Sequence, residues 1–524
     1  MHSQQFPEIE FRKLDALVRD YCACYEKLRE LYNVDCSVDA IANYAQSRTI
    51  PAETRQTLVQ VLREQYNDLP TIPQVETSIE CLASAQTVCV TTGHQLCLFG
   101  GPAYVIYKIL STIKLAQVLS NTAPGLQVVP VFWMAAEDHD KEEINHTVSN
   151  GKRLQWNTPQ EGAVGRFQTD GLNDVFEEWI ATIEQDELRA SMRELWSNAL
   201  KMSTWAQASR AWIHQCFGEW GLVIVDADDE RLKRRFMGSI REELLHQHIH
   251  TSVTATNSKL VDLGYKPQVN PRETNLFYLS PQARVRIEKQ KDAWMTVDGK
   301  QQWSWETLQS ELELHPENFS PNVLMRPIYQ ETILPNVAYI GGPGELAYWL
   351  QLKNAFERFE LKMPALVLRD AAIILNAAQV RRLNKLNLNA ADLLSEKSQI
   401  IKRMVGSKPD YSDEKDKLRQ IYEELAERVG LIDSTLQSAV MAELQRVLTG
   451  MEQLQGKAWK ASKMKEEQKL TSLERLWDEI YPNGSMQERT NNILPLACAN
   501  NKVLMRTLLD AIQPPQSTLQ IIEI

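Results

Sequence analysis

Residues 88–115, VCVTTGHQLCLFGGPAYVIYKILSTIKL, constrain the fold more than any other stretch. The β-branched run 88–92 predicts a strand buried on both faces, because almost no position in it is polar enough to face water. The run ends at Gly93, His94 and Gln95, and a turn with Gly100, Gly101 and Pro102 leads into an apolar-periodic helix from about Ala103. Pro102 suits a first helical turn, where its missing N–H costs little. A strand that stops at a glycine-containing turn and opens a helix builds an anion pocket from unpaired N–H groups and the positive helix end.

The same design recurs. Apolar strands are predicted at about 126–138, 221–226, 336–341 and 364–370, and helical patterns follow several of them. Strands alternating with helices predict an α/β fold with a doubly wound parallel sheet. Residues 9–67 look helical. Two stretches break the alternation within a core spanning 1–385. Residues 150–215 are polar, Trp-rich and helix-prone in their second half, and 253–325 hold short alternating runs that predict a small antiparallel patch. Beyond 385, Leu418, Ile421, Leu425, Val429, Ile432 and Leu436 recur at three- and four-residue steps, with charged residues between them. That spacing predicts an antiparallel coiled-coil hairpin over 386–475, suited to a homodimer, with its turn at residues 407–410. Residues 476–524 are expected to return to the core.

Composition narrows the function. A net charge of −11 argues against nucleic acid, whose phosphates need a basic face. No apolar run is long enough for a membrane span, and the N-terminus lacks the basic and apolar regions of a secretory signal. The eight cysteines form no CxxC pair, so no disulfide framework or zinc knuckle is indicated, and a cytoplasmic setting is expected. No metal is expected either. His246, His248 and His250 are too poorly spaced for a helical ligand set. Lys460 to Lys465 belong to the solvated face of the heptad helix.

Chemistry concentrates at predicted strand ends. His94 and Gln95 follow the first strand, where His94 could donate to an oxyanion or phosphate. Glu137, Asp138, His139 and Asp140 follow the second. Such crowding suits acid–base work, amine binding or a metal, although an Asp there also serves as an N-cap for the DKEEIN helix start. Gly341, Gly342, Gly344 and Glu345 form a second glycine turn, with Arg326 and Gln330 upstream; Arg326 could fork onto a carboxylate. Asn483, Gly484, Gln487 and Arg489 form a turn after the coiled coil that could hold a nucleotide or merely re-enter the core. Cys97 borders the first loop and is expected to be a packing residue, with a redox role left open.

Taken in order, TTGHQLCLFGGPAYVIYKI (91–109), VPVFWMAAEDHDKEEINH (129–146), RPIYQETILPNVAYIGGPGELAYWLQLKNAFE (326–357) and PNGSMQER (482–489) resemble the bacillithiol-biosynthesis cysteine-adding enzyme family. The resemblance implies a Rossmann-like core with two connective-peptide insertions and a coiled coil that mediates dimerisation. It implies a ligase joining the carboxyl of L-cysteine to the amine of glucosaminyl-malate. ATP-linked activation through an acyl-adenylate or acyl-phosphate is expected, with ATP or ADP near residues 482–489. With these substrates, Gly93, Gly101, Arg326, Gln330, Gly341, Gly342, Gly344 and Glu345 are read toward substrate, and the strand-end residues His94, Gln95 and the 137–140 cluster toward catalysis. The family's familiar first motif carries Gln-Gln where this chain has His94-Gln95. Two rivals remain open: another amide-forming or nucleotidyl-transfer enzyme on this core, or a non-catalytic coiled-coil dimer that binds a nucleotide or thiol metabolite.

Overall fold

The structure is a computed structural model and describes residues 2–7, 14–123, 125–149, 151–406 and 409–524. The chain forms two units: residues 1–374 with 486–522 and 524, and residues 375–485 with 523. Among the described residues, no helix is long and apolar enough to cross a membrane.

The first unit is organised by five parallel strands, β1 (Thr87–His94), β2 (Gln127–Met134), β3 (Val223–Asp226), β4 (Asn336–Gly341) and β5 (Ala365–Leu368), in the order β5–β4–β1–β2–β3. Alternate residues of each strand pass to opposite faces. Val131 and Trp133 of β2 enter one apolar cluster, while Phe132 and Met134 enter another. Both faces are covered, which is why the strands carry almost no polar positions. Fully burying a side chain such as Phe132 stabilises the fold by about 2–3 kcal/mol.

Helix α1 (Tyr104–Thr122) follows β1. Helices α2 (Trp205–Phe217) and α3 (Glu230–His246) flank β3 in sequence, and α4 (Arg326–Ile333) and α5 (Pro343–Trp349) flank β4. The chain moves outward from β1 through β2 to β3, then returns to lay β4 on the other side of β1. The order therefore reverses between β1 and β4, and a crevice must open outside their carboxyl ends.

The Trp-rich insertion has a structural purpose. Phe99, in the loop after β1, stacks on Trp179 at 4.7 Å and meets Trp196 edge-on at 5.2 Å. Trp196 in turn stacks on Trp205 and Trp212 of α2. The second insertion holds an antiparallel sheet in the order Gln302–Trp303, Ala293–Thr296, Ala283–Gln290, Leu276–Ser280, Phe319–Pro321. The alternating runs form its strands, and the stretch before them is the end of the helix His248–Asp262.

The second unit contains α6 (Ser412–Gly430) and α7 (Leu436–Lys465). They run antiparallel: Lys415 pairs with Glu452 at 3.3 Å, and Gly430 abuts Gln437. The reversal lies at residues 431–435, where Asp433 accepts from Thr435 N–H, not at residues 407–410. Pro409 does precede α6, and Ser407 and Lys408 lie outside the described residues. The seam also differs from the expected stripe. Ala426, Leu444 and Leu448 are buried, whereas Ile421, Leu425 and Leu436 are exposed. The three-and-four spacing runs straight through a turn.

The last helix of the chain, α8 (Leu494–Ala511), belongs to the first unit.

Candidate active site

A cavity of about 780 Å³ opens where the sheet order reverses. Its floor is the end of β1. Gly93 pairs in register with Trp133, and Thr92 Oγ1 donates to Ile340 O at 2.8 Å, tying β1 to β4. His94 Nδ1 accepts the Gln95 N–H at 2.7 Å, so the ring proton belongs on Nε2. The ring stacks on Tyr104, and burial, with Lys108 nearby, pushes its pKa down to about 3. Burial thus favours the neutral ring, which can donate a hydrogen bond from Nε2.

One side of the cavity is acidic. Gln95 Nε2 donates to Asp138 Oδ2 at 2.8 Å and to Glu143. Asp138 also accepts the His139 N–H at 2.7 Å and faces Arg284 at 3.6 Å. Burial alone would raise the Asp138 pKa, but His139, Gln95 and Arg284 hold it well below the usual carboxylate range. Glu137 behaves differently. Its Oε1 lies 2.6 Å from Lys233 Nζ, which is fully buried and also pairs with Asp228 at 2.8 Å. Arg166 takes the other face of Asp228, so Asp228 claims much of the cationic charge. Burial then dominates at Glu137 and raises its pKa. Two adjacent carboxyls are thus pushed in opposite directions, Asp138 toward the ionised form and Glu137 toward the protonated one.

The other side is cationic. Arg326 is framed by Trp133, Tyr339 and Trp349 at 5.5–5.9 Å and donates to Gln330 at 2.9 Å. Arg369 grips Glu488 with two bonds of 2.7 and 3.0 Å and lies over Tyr104. Arg489 completes this wall. The two sides are linked by Lys108, whose Nζ donates to Gly93 O and to Glu345 Oε2 at 2.7 Å. Glu345 also accepts from Gly342 N–H and Tyr339 OH, and these partners, Lys108 above all, hold its pKa down against burial.

The cavity wall includes Gly93, His94, Gln95, Glu137, Asp138, Arg326, Gly342, Gly344, Glu345 and Arg489 from the sequence-based set. The remaining residues of that set lie elsewhere. His139 and Asp140 border a separate 390 Å³ cleft, and Asp140 N-caps the short helix Lys141–Ile144. Gly101 has φ 62° and an added Cβ there would lie 2.5 Å from Cys97 Cβ, so its glycine serves the turn. Gln330 is buried between Arg326 and Glu331, and Gly341 packs on Leu346. Gln487 bonds both backbone groups of Ile374. Asn483 and Gly484 form a short turn in the second unit.

Sequence reasoning missed Lys108, Arg284, Arg369 and Glu488. Lys108 left one trace, a lone cation in the otherwise apolar run YVIYKIL. The others carry no local signature, because their partners are distant in the chain.

Models of two domain families match the chain. The N-terminal Rossmann-like domain of bacillithiol biosynthesis BshC matches residues 4–370, and the C-terminal coiled-coil domain of BshC matches residues 372–524. A Cytophaga hutchinsonii protein named as a cysteine ligase BshC is 37% identical over 522 residues, covering 99% of this chain and 97% of the relative. Proteins of the same name from Christiangramia forsetii and Flavobacterium johnsoniae are each 35% identical. They cover 99% and 97% of this chain, and 98% and 97% of their own lengths.

Proposed function

Because the chain belongs to the bacillithiol-biosynthesis BshC family, we propose that its cavity joins the carboxyl of L-cysteine to the amine of glucosaminyl-malate, with ATP-linked activation. The observation that carries this reading is one cavity whose wall brings the carboxyls of Glu137 and Asp138 together with the guanidinium groups of Arg326 and Arg489. An amine nucleophile approaches as an ammonium ion and suits the acidic side. Asp138, pushed toward the ionised form, holds and orients it. Glu137, with its raised pKa, takes the proton that the ammonium must lose before its nitrogen can attack the acyl carbon, and the second proton, lost as the amide forms, passes to the leaving group or solvent. The anionic groups of the substrates suit Arg326 and Arg489, whose planar forks match carboxylates and phosphates, while Arg369 already holds Glu488.

Amide formation from a free carboxylate is uphill in water. ATP supplies the leaving group that makes it favourable, and Arg489 is the cation that would face its phosphates. The residues between the two sides act by positioning. Gln95 fixes Asp138, and Lys108 fixes the glycine turn after β4.

The second unit fits a homodimer. Leu431 and Ile432 at the hairpin tip are 90% and 84% exposed, an arrangement that costs solubility unless covered. Leu431→Asp combined with Ile432→Asp is expected to shift the dimer toward monomer in light scattering. An unchanged mass, or a wild-type monomer, would remove the dimer from this reading.

The direct test is mass spectrometry of bacillithiol formed by the purified protein from L-cysteine, glucosaminyl-malate and ATP. Glu137→Gln is expected to lower turnover by about 10²–10⁴-fold. The base must be ionised, so wild-type activity should fall as pH drops through the raised Glu137 pKa, and that acid limb should vanish in the variant. Absence of product under several conditions, or full activity in Glu137→Gln, would overturn the assignment.

A further inference from the structure

Two thiols far apart in sequence nearly touch behind the active-site loop. Cys216 Sγ, on α2, lies 3.1 Å from Cys498 Sγ, on α8. Cys216 is buried and Cys498 is half-buried. A disulfide bond is about 2.05 Å long, so closure requires a movement of only about 1 Å. The local geometry holds the pair in place. Helix α8 is interrupted just beyond Cys498, where Asn500, Asn501 and Lys502 all have left-handed φ. This kink turns Lys502 back onto the end of α2, where Nζ donates to Cys216 O at 2.7 Å and pairs with Glu219 at 3.0 Å.

Both helices brace the segment that follows β1. From α2, Trp205 Nε1 donates to Leu96 O at 2.7 Å. On the other side, Asn492 Nδ2 donates to Phe99 O at 2.8 Å, Asn491 O accepts from Ala103 N–H at 2.9 Å, and Leu494 packs under Gly100. Drawing α8 toward α2 therefore moves both supports of residues 95–103, and Gln95, the residue that orients Asp138, heads that segment.

We propose that Cys216 and Cys498 form a reversible redox site, closed by a low-molecular-weight disulfide and coupled through residues 95–103 to the cavity. The inference concerns regulation of the ligase site proposed above. The exchange balances. The Cys498 thiolate attacks the disulfide R–S–S–R, giving a mixed disulfide on Cys498 and one RS⁻. Cys216 passes its proton to that thiolate and attacks the Cys498 sulfur, releasing a second thiolate that is protonated by solvent with the proton Cys498 lost. Two protein thiols are oxidised and one R–S–S–R becomes two R–SH. Cys498 is the entry thiol because it alone of the pair reaches the surface. An enzyme that makes a low-molecular-weight thiol would thereby respond to the oxidised form of such thiols.

The test treats native full-length protein with 2-hydroxyethyl disulfide, followed by quenching, alkylation and peptide mapping. A Cys216–Cys498 link reversed by dithiothreitol is expected. Cys216→Ala should trap a mercaptoethanol adduct on Cys498, and Cys498→Ala should show neither link nor adduct at Cys216. Retention of both free thiols in wild type, or first modification at Cys216, would overturn the site. The linked protein should lose turnover on the order of tenfold, as expected when positioning groups shift by a fraction of an ångström, and the double alanine variant should not respond. Unchanged turnover in fully linked protein would overturn the coupling. If the reduced protein makes no bacillithiol, the ligase reading fails, while the mapping still decides the thiol pair.

Discussion

The turns after β1 and β4 look alike in sequence, since each reads strand, glycine pair, proline, helix, yet they use their glycines oppositely. After β4 the helix begins at once. Gly342 is extended at φ −77° and lines the cavity, and its N–H is held by the Glu345 side chain at 2.8 Å. After β1, residues 95–103 intervene before α1. Gly100 and Gly101 have φ of 90° and 62° and are buried against Leu494 and Cys97. At the start of α1, the N–H of the N-cap Ala103 is held by a backbone carbonyl, Asn491 O, with no side-chain cap. After β4 one glycine of the pair, Gly342, faces the site while Gly341 packs on Leu346, whereas after β1 both serve the fold; the β1 turn instead contributes the side chains of His94 and Gln95. The lesson is that a glycine–proline signature marks where the chain bends and does not say which surface the bend serves.

The largest expected effect comes from the residue that joins the two turns. Lys108→Met removes the cation bonded to both Gly93 O and Glu345. Breaking a buried pair costs about 3–5 kcal/mol. Glu345 keeps 27% of its side chain open, so a loss of about 2–3 kcal/mol in urea unfolding is the discounted expectation, together with a large drop in turnover. A variant with native stability and rate would show that the turns do not depend on each other.

Gly101→Ala should come next. Its φ disfavours a side chain, and the new methyl meets Cys97 Cβ at 2.5 Å, so a destabilisation of about 2 kcal/mol is expected with KM unchanged. Gly342→Ala reverses the pattern. Its Cβ meets Glu345 Oε2 at an ordinary 3.4 Å, so stability should stay within about 0.5 kcal/mol. The methyl intrudes on the cavity, and KM should rise about tenfold, the low end for one methylene-sized change in a pocket. If Gly101→Ala raises KM and leaves the melting temperature alone, the contrast between the turns is wrong.

This contrast also marks what the chain discloses in advance. The strands are legible because burial on both faces forbids polar positions, and the crevice follows from polar residues appearing where strands stop. The acidic cluster after β2 is legible too, but not its division of labour. Asp138 and Glu137 differ through Arg284, Lys233 and Asp228, contacts made across long separations that no local pattern encodes. The hairpin reversal escapes the pattern because Leu431 and Ile432 continue the apolar spacing through the turn, while Pro409 offers a stronger local stop.

The smallest effect is the sharpest discriminator, because it follows one amide in each turn. Gly342 N–H is held by a carboxylate that titrates, and Ala103 N–H by a peptide carbonyl that does not. The Glu345 pKa is held below its ordinary 4.5 by Lys108. A depressed carboxyl contributes stability that is fully present above the unfolded value and is lost as pH falls through the folded one. Below about pH 4.5, then, hydrogen-exchange protection at Gly342 should decline while protection at Ala103 persists, provided near-ultraviolet circular dichroism still reports a native fold. In Glu345→Gln the decline at Gly342 should disappear, since no charge remains to be lost. Parallel loss at both amides would mean that acid opens the unit as a whole, and that the two turns share one stability despite their different caps.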